Sequence, residues 1–261
     1  MIRAVLPAAL ARLSHVATAR FAARILTTAD RSALAALRAA VVGAQLLQPD
    51  CYRFEAEQPG FPENHLGADG VGEAGLIVGL FDEATQALAA YGALTLAPPD
   101  PVVARLGEAL QMPQTTCADI AFFSSAMVDN AWRGHGLHDH LIQFRTDVAQ
   151  AMGRRHLVTT IWPGNHPSWG HMTARGFHGK TLLDVSGGQM RLILHRDLAA
   201  APPHCDPLTR HVAALEDLPR QAALFAAGHW LWRRLRRDGA VFAELARPAP
   251  TSGVAGSLRP A

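Results

Sequence analysis

The sequence predicts an α/β fold, a sheet with helices on its faces that ends in a C-terminal helical extension. Three observations predict it. Short β-compatible runs alternate with segments of helical periodicity between residues 24 and 198. Glycine or proline breakers separate most of these runs. The 261 residues are 49 % hydrophobic and 18 % charged, enough apolar material to bury a core and too much for a disordered chain.

Residues 24–28 (R-I-L-T-T) read as a short strand. Asp30 or Ser32 can cap a helix over residues 33–42, because a short polar side chain accepts free amide hydrogens at a helix start. Residues 49–72 are irregular, broken by Pro59-Gly60 and by the run from Asn64 to Gly70, and such a segment can cover a pocket. Residues 74–81 and 86–96 form a hairpin about a turn at 82–85, although the alanines of the second arm suit a helix equally. Pro98, Pro99 and Pro101 precede a short helix at 102–110.

Residues 116–128 are the strongest strand and lead into a glycine-rich turn. The helix at 137–152 repeats Leu141, Phe144, Val148 and Met152 at helical spacing, and Gly153 stops it. A strand at 156–162, a break at Pro163-Gly164-Asn165, a helix at 167–175 and a hairpin over 177–195 about Gly187-Gly188 complete the pattern. Beyond Asp197 come a Pro-rich linker (199–207), a largely helical segment (220–245) and a flexible tail (248–261). The expected division is an N-terminal extension 1–23, a main domain 24–198 and an appendage 199–261. No internal repeat is visible.

The formal charge of +2 argues against nucleic acid or membrane as the main partner, and no apolar run approaches the roughly 20 residues of a membrane span. Cys51, Cys117 and Cys205 are odd in number and widely spaced, which points to a reducing, cytoplasmic setting without disulfides. Arg3, Arg12, Arg20 and Arg24 precede the first acid, Asp30, so the start reads either as a transit peptide or, the better fit to an alanine-rich chain, as a helical extension. His138 and His140 lie two apart and share no helix face, so no metal site is expected. The cluster from His229 to Arg237 suits an anionic surface or an amphipathic helix packed on the domain or on a second subunit. The packing role fits a nearly neutral chain better and allows a homodimer.

The chemistry concentrates at Arg133-Gly134-His135-Gly136-Leu137. A strand enters this turn and a helix leaves it. Glycines open backbone angles closed to other residues, and the leading helix amides are unpaired and carry the positive end of the dipole. The product is an anion site suited to a phosphate or pyrophosphate, with Arg133 adding charge. The spacing is neither G-x-G-x-x-G nor a Walker motif, so dinucleotide and nucleotide folds are not indicated.

The segment V-D-N-A-W-R-G-H-G-L-H-D-H-L (residues 128–141) resembles the acyl-CoA motif Q/R-x-x-G-x-G/A of the GNAT superfamily of N-acetyltransferases. Asn165, Ser168 and Gly176-Phe177 match that family's downstream N-x-x-S/A and G-F positions, and residues 187–198 look like its last hairpin. The resemblance implies a mixed, mostly antiparallel sheet for residues 24–198 and acetyl-CoA as cosubstrate. It places the pyrophosphate on the amides of Gly134, His135, Gly136 and Leu137, with Arg133 and His138 beside it. It places the pantetheine arm along Ala126, Met127 and Val128, and Asn165 and Ser168 near the CoA.

The implied reaction is direct acetyl transfer to a primary amine of a small molecule or peptide in a ternary complex. His138 stands where the family has a small residue, and Met172 where it often has a tyrosine acid. Both departures favour the alternative of a non-catalytic acyl-CoA-binding regulatory module. The residues able to handle protons are Asp119 and His171, with Ser124 and Ser125 able to orient substrate or water.

Overall fold

The computed structural model describes residues 2–16, 20–45, 61–96, 101–184 and 189–250. In chain order they form α1 (Ile2–Val16), β1 (Phe21–Ile25), α2 (Arg31–Gln45), β2 (Gly75–Asp82), β3 (Leu88–Thr95), α3 (Pro101–Ala109), β4 (Ile120–Val128) and α4 (Leu137–Ala151). Then follow β5 (His156–Ile161), α5 (His166–Ala174), β6 (His178–Asp184), β7 (Met190–Asp197), β8 (His211–Ala214), α6 (Leu218–Ala226), β9 (Trp230–Arg237) and β10 (Ala240–Ala246). The strands join one sheet in the order β1-β2-β3-β4-β5-β7-β6-β9-β10-β8. Only β4 and β5 pair in parallel; the other neighbours are antiparallel. The chain is therefore α/β with a mixed, mostly antiparallel sheet flanked by helices. No helix among the described residues is long and apolar enough to cross a membrane.

Alternation along the strands sorts the core into two layers. Leu76, Val78 and Leu80 of β2 join Leu6 and Leu13 of α1 and Leu141, Phe144 and Val148 of α4. Ile77 and Phe81, one residue out of phase, meet Leu34, Leu37 and Val41 of α2. α3 extends this second layer, with Val103 and Leu106 against Ile120, Phe122, Val158 and Ile193. Asp30 does not cap α2 as a lone side chain. It sits buried in the turn before it, accepts from the Thr27 amide at 2.9 Å and takes two bonds from Arg24 at 2.6 and 2.7 Å.

β4 changes phase along its length. Phe123 packs in the α4 layer, but Met127, also odd-numbered, packs in the α2 layer. The cause is a bulge: Ala93 pairs with Ser125 and Thr95 with Phe122, so β4 carries one residue more than β3 over that interval. Arg145 of α4 is 2 % exposed and reaches this place. It donates to the Leu141 carbonyl at 3.0 Å, the Ala93 carbonyl at 3.3 Å and the Ser125 carbonyl at 3.4 Å, and lies over the Phe123 ring. Gly92 makes room for it, since a Cβ there would come within 3.1 Å of Arg145 Nε.

The helical extension expected over residues 220–245 is corrected. α6 stops at Ala226, with Gly228 at φ +83°, and the rest is the hairpin of β9 and β10, which extends the main sheet. The turn is Asp238-Gly239, at φ +50° and +79°. Two positive φ values match the right-handed twist of a two-residue hairpin, and Asp-Gly is a sequence suited to them. Trp230, Trp232, Val241 and Phe242 favour strand over helix. β6 meets β9 at a single paired position, Gly179 with Leu231. The irregular segment expected at 49–72 lies outside the described residues up to 60, as do Gly187-Gly188 and the tail beyond 250.

Gly239→Val places a β-branched residue at φ +79°. It is expected to cost about 1–2 kcal/mol, seen as a lower Tm in calorimetry, whereas Asp238→Asn is expected to leave Tm nearly unchanged because Asn tolerates the left-handed region.

Candidate functional site

The parallel pairing of β4 and β5 is short. Ile120, Ala121 and Phe122 pair with His156, Leu157 and Val158, and then the strands part. At the vertex the Thr159 hydroxyl donates to the Phe123 carbonyl at 2.9 Å, taking a group the missing ladder would have used. From Ser124 to Val128 the β5-facing edge of β4 has no strand partner among the described residues. Ala126 and Val128 are half-buried there, while Ser125 and Met127 are buried.

The open end of this splay leads to the glycine turn. Asp129 accepts from the Ala131 amide at 2.8 Å and starts a single turn ending at Trp132. Trp132 is fixed by Phe21 in an edge contact at 5.4 Å and by the Arg20 guanidinium 4.2 Å above its ring. Gly134 and Gly136 follow with φ +84° and +74°, angles that side-chain-bearing residues rarely adopt. Gly136 is the N-cap of α4, and Leu137, 2 % exposed, anchors the first turn in the core.

The amides of Gly134 to His138 have no acceptor among the described residues, and the loop from Arg133 to Gly136 is exposed. His135 is turned back: its Nδ1 donates to the carbonyls of Arg133 and Trp132 at 3.2 and 3.3 Å, leaving the amides clear. Asp139, in the first turn of α4, would oppose an anion, but Arg175 neutralises it through a forked ion pair that holds its carboxyl below the usual range.

His138 points inward between α4 and α5. Its Nδ1 lies 3.1 Å from Nδ1 of His171, so one ring donates and the other accepts. Burial, with Arg145 nearby, pushes His138 down to about 3, and burial together with Arg234 lowers His171. The pair is neutral near pH 7. His138 thus bridges two helices instead of crowding the free amides. Asn165 caps α5, accepting from the Ser168 amide at 3.3 Å, and the buried Trp169 donates to the Pro163 carbonyl at 2.9 Å. Met172 is 2 % exposed and offers no proton.

The structure places Ala126, Met127 and Val128 on the splayed edge of β4, Arg133, Gly134, His135 and Gly136 in the turn that follows, Leu137 and His138 in the first turn of α4, and Asn165 and Ser168 at the start of α5; His171, in the last turn of α5, meets His138. It does not bring Asp119. That residue is exposed in the turn before β4, at the closed end of the β4–β5 pair, with its carbonyl bonded to the Arg155 amide at 3.0 Å. The assignment of Asp119 as a proton acceptor is therefore corrected. Sequence reasoning also missed Tyr91, whose hydroxyl meets Ser125 Oγ at 2.9 Å on the α2 side of β4. Burial raises Tyr91 to about 12.

The splayed edge suits an extended arm carrying amides, and the exposed amide cradle suits a diphosphate; among the described residues a Cβ at Gly134 would meet nothing within 4 Å and one at Gly136 only His140 Nε2 at 3.8 Å. Among the described residues, no cluster of three or more His, Cys, Asp or Glu could hold a metal ion.

No protein-family model matches the sequence, and no curated protein matches it. Among solved structures the chain is similar to an N-acetyltransferase from Staphylococcus aureus Mu50, at 16 % identity over 69 % of this chain and 99 % of that one, with a TM-score of 0.48. It is also similar to a GCN5-related N-acetyltransferase from Kribbella flavida, at 18 % identity over 69 % and 98 %, TM-score 0.47. A third is the ribosomal-protein-S18-alanine N-acetyltransferase from Escherichia coli, at 15 % identity over 69 % and 96 %, TM-score 0.44.

The buried imidazoles set an acid limit on stability. His65 is lowered to about 4 by burial, beside its 2.8 Å bond to the Thr95 hydroxyl, and His138 to about 3, against 6.5 when unfolded. Below 6.5 the unfolded chain takes up protons on these imidazoles that the folded chain refuses, so their cost to stability is absent above that pH and grows as pH drops towards 4. The expected result is a Tm that declines from pH 6.5 downward, with a shallower slope in His138→Asn. An unchanged slope would show that His138 is not one of the groups responsible.

Proposed function

We propose that the chain is a GNAT-type N-acetyltransferase that uses acetyl-CoA to acetylate a primary amine of a small molecule or peptide. The observation that carries this reading is the juxtaposition of two features. A strand edge freed by the β4–β5 splay runs straight into a helix start whose amides are exposed at two left-handed glycines.

The amides of Gly134 to His138 would hold the diphosphate, with Arg133 adding charge from the rim. The edge from Ala126 to Val128 would hold the pantetheine amides, and Asn165 and Ser168 would flank its far side. Bound there, acetyl-CoA supplies an activated acyl group. The bulge at residues 122–125 turns Ser125 to the α2 side, where its hydroxyl is held by the buried Tyr91 hydroxyl. An ammonium must lose its proton before attack, and the neutral His171, coupled to His138, is the group assigned to receive it.

Isothermal titration with acetyl-CoA tests the binding half. Micromolar affinity is expected, and Gly136→Asp should abolish it, since Asp tolerates the backbone angle but repels the anion. No heat at millimolar ligand would sink the proposal.

Thiol release over a panel of amines tests the chemical half. His171→Ala is expected to lower kcat by about a hundredfold with KM little changed and to remove the acid limb of the pH profile; unaltered kcat would reject the assignment. The buried Met172, in place of a proton donor, supports a second reading as a non-catalytic acyl-CoA-binding regulatory module. Tight binding without thiol release on any amine would establish it.

A further inference from the structure

A second concave site lies away from the splay, where the end of α3, β6, β7 and the α6–β9 corner meet. Its volume is about 510 Å³, within the range of small-molecule sites. Leu110, Leu182 and Phe225 give it apolar walls and Trp230 an aromatic one. Into it projects Lys180, the only lysine of the chain.

Lys180 is placed there by a bulge. The register between β6 and β7 shifts between Gly179 and Thr181, so Lys180 is the extra residue and is aimed out of the ladder. Its ammonium lies over the Trp230 ring. It has no ion pair or hydrogen bond among the described residues, and no Asp or Glu lines the cavity. Burial lowers Lys180 to about 7, the mark of an amine lacking the anion that would compensate its desolvation. Gln111 is at the rim with φ +55°, a costly angle for a residue with a side chain, and it adds an amide donor. His229 donates Nδ1–H to the Leu224 carbonyl at 3.1 Å, so its ring is fixed in the wall.

One cation without an anionic partner among the described residues, an amide donor, and apolar walls interrupted by Thr181, His195 and His229 define the ligand's chemistry. We propose that this cavity is a second small-molecule site, which takes a carboxylate on a short apolar or aromatic body, with Lys180 holding the carboxylate. A phosphate would leave a second charge uncompensated, and an amine would face Lys180 directly. The site is independent of the acetyl-transfer reading.

Isothermal titration of the full chain with benzoate and hexanoate, against benzamide and hexanamide of the same shapes, tests it. Saturable binding of the carboxylates is expected, about ten- to a hundredfold tighter than the amides. Lys180→Met should lose that preference while its circular dichroism stays unchanged. If Lys180→Met does not fold, Ala222→Phe, which fills the cavity from exposed α6, should block binding instead. Equal binding of acid and amide, no saturable binding of either acid at millimolar concentration, or unweakened carboxylate binding in a folded variant would each overturn the proposal.

Discussion

Arg145 is the constraint on which the site depends. A guanidinium with no carboxylate partner among the described residues is buried between α4 and the sheet, and three backbone carbonyls and a phenyl ring stand in for an anion. Burial pulls it down to about 9. One of its acceptors is on α4, one on β3 and one at the β4 bulge, so it locks the helix to the two strands at the place where β4 changes phase. Gly136 starts the same helix that Arg145 pins. The spacing between the amide cradle and the splayed edge is therefore set by a contact two turns inside the fold.

Charge around the cradle is arranged to leave it receptive. Asp139 is the only acid in the first turn of α4, and Arg175, the C-cap of α5, takes it out of play. Of the imidazoles nearby, His135 is turned away and His138 and His171 are held neutral as a pair, while His140 lies beside Gly136. What faces outward is backbone amide, with Arg133 and His140 beside it. A single helix start does little for an anion in water, but several converging donors with no competing carboxylate do more.

The sequence made some of this legible and concealed the rest for physical reasons. The helix from Leu137, the hairpin of β2 and β3 and the glycine turn follow from local signals, namely apolar spacing and residues free to take positive φ. Asp119 was misplaced because residues 116–128 read as one strand, whereas 114–119 form a tight turn and the strand begins at Ile120. The bulge cannot be read from β4 alone, since it exists only in register with β3. Tyr91 with Ser125 and Arg145 with Ala93 join residues 34 and 52 apart, contacts no local pattern announces. The C-terminal misreading is different in kind. Asp238-Gly239 is a hairpin signal in plain view, outweighed by an arginine- and leucine-rich run that suits a helix equally well.

The junction between β6 and β9 has a consequence for how the molecule opens. Among the described residues ten strands share one sheet, but the ladder narrows there to the rung of Gly179 and Leu231, while β9 and β10 pair along their length. Backbone hydrogen bonding is thus nearly discontinuous at that point, and side-chain packing carries the connection. Cooperative units of unfolding follow dense bonding and part where it thins. The apolar side chains of β8 to β10 share the main core, so amide exchange is expected to distinguish these strands from β1 to β7 only as far as backbone bonding, and not that shared packing, sets the cooperative unit.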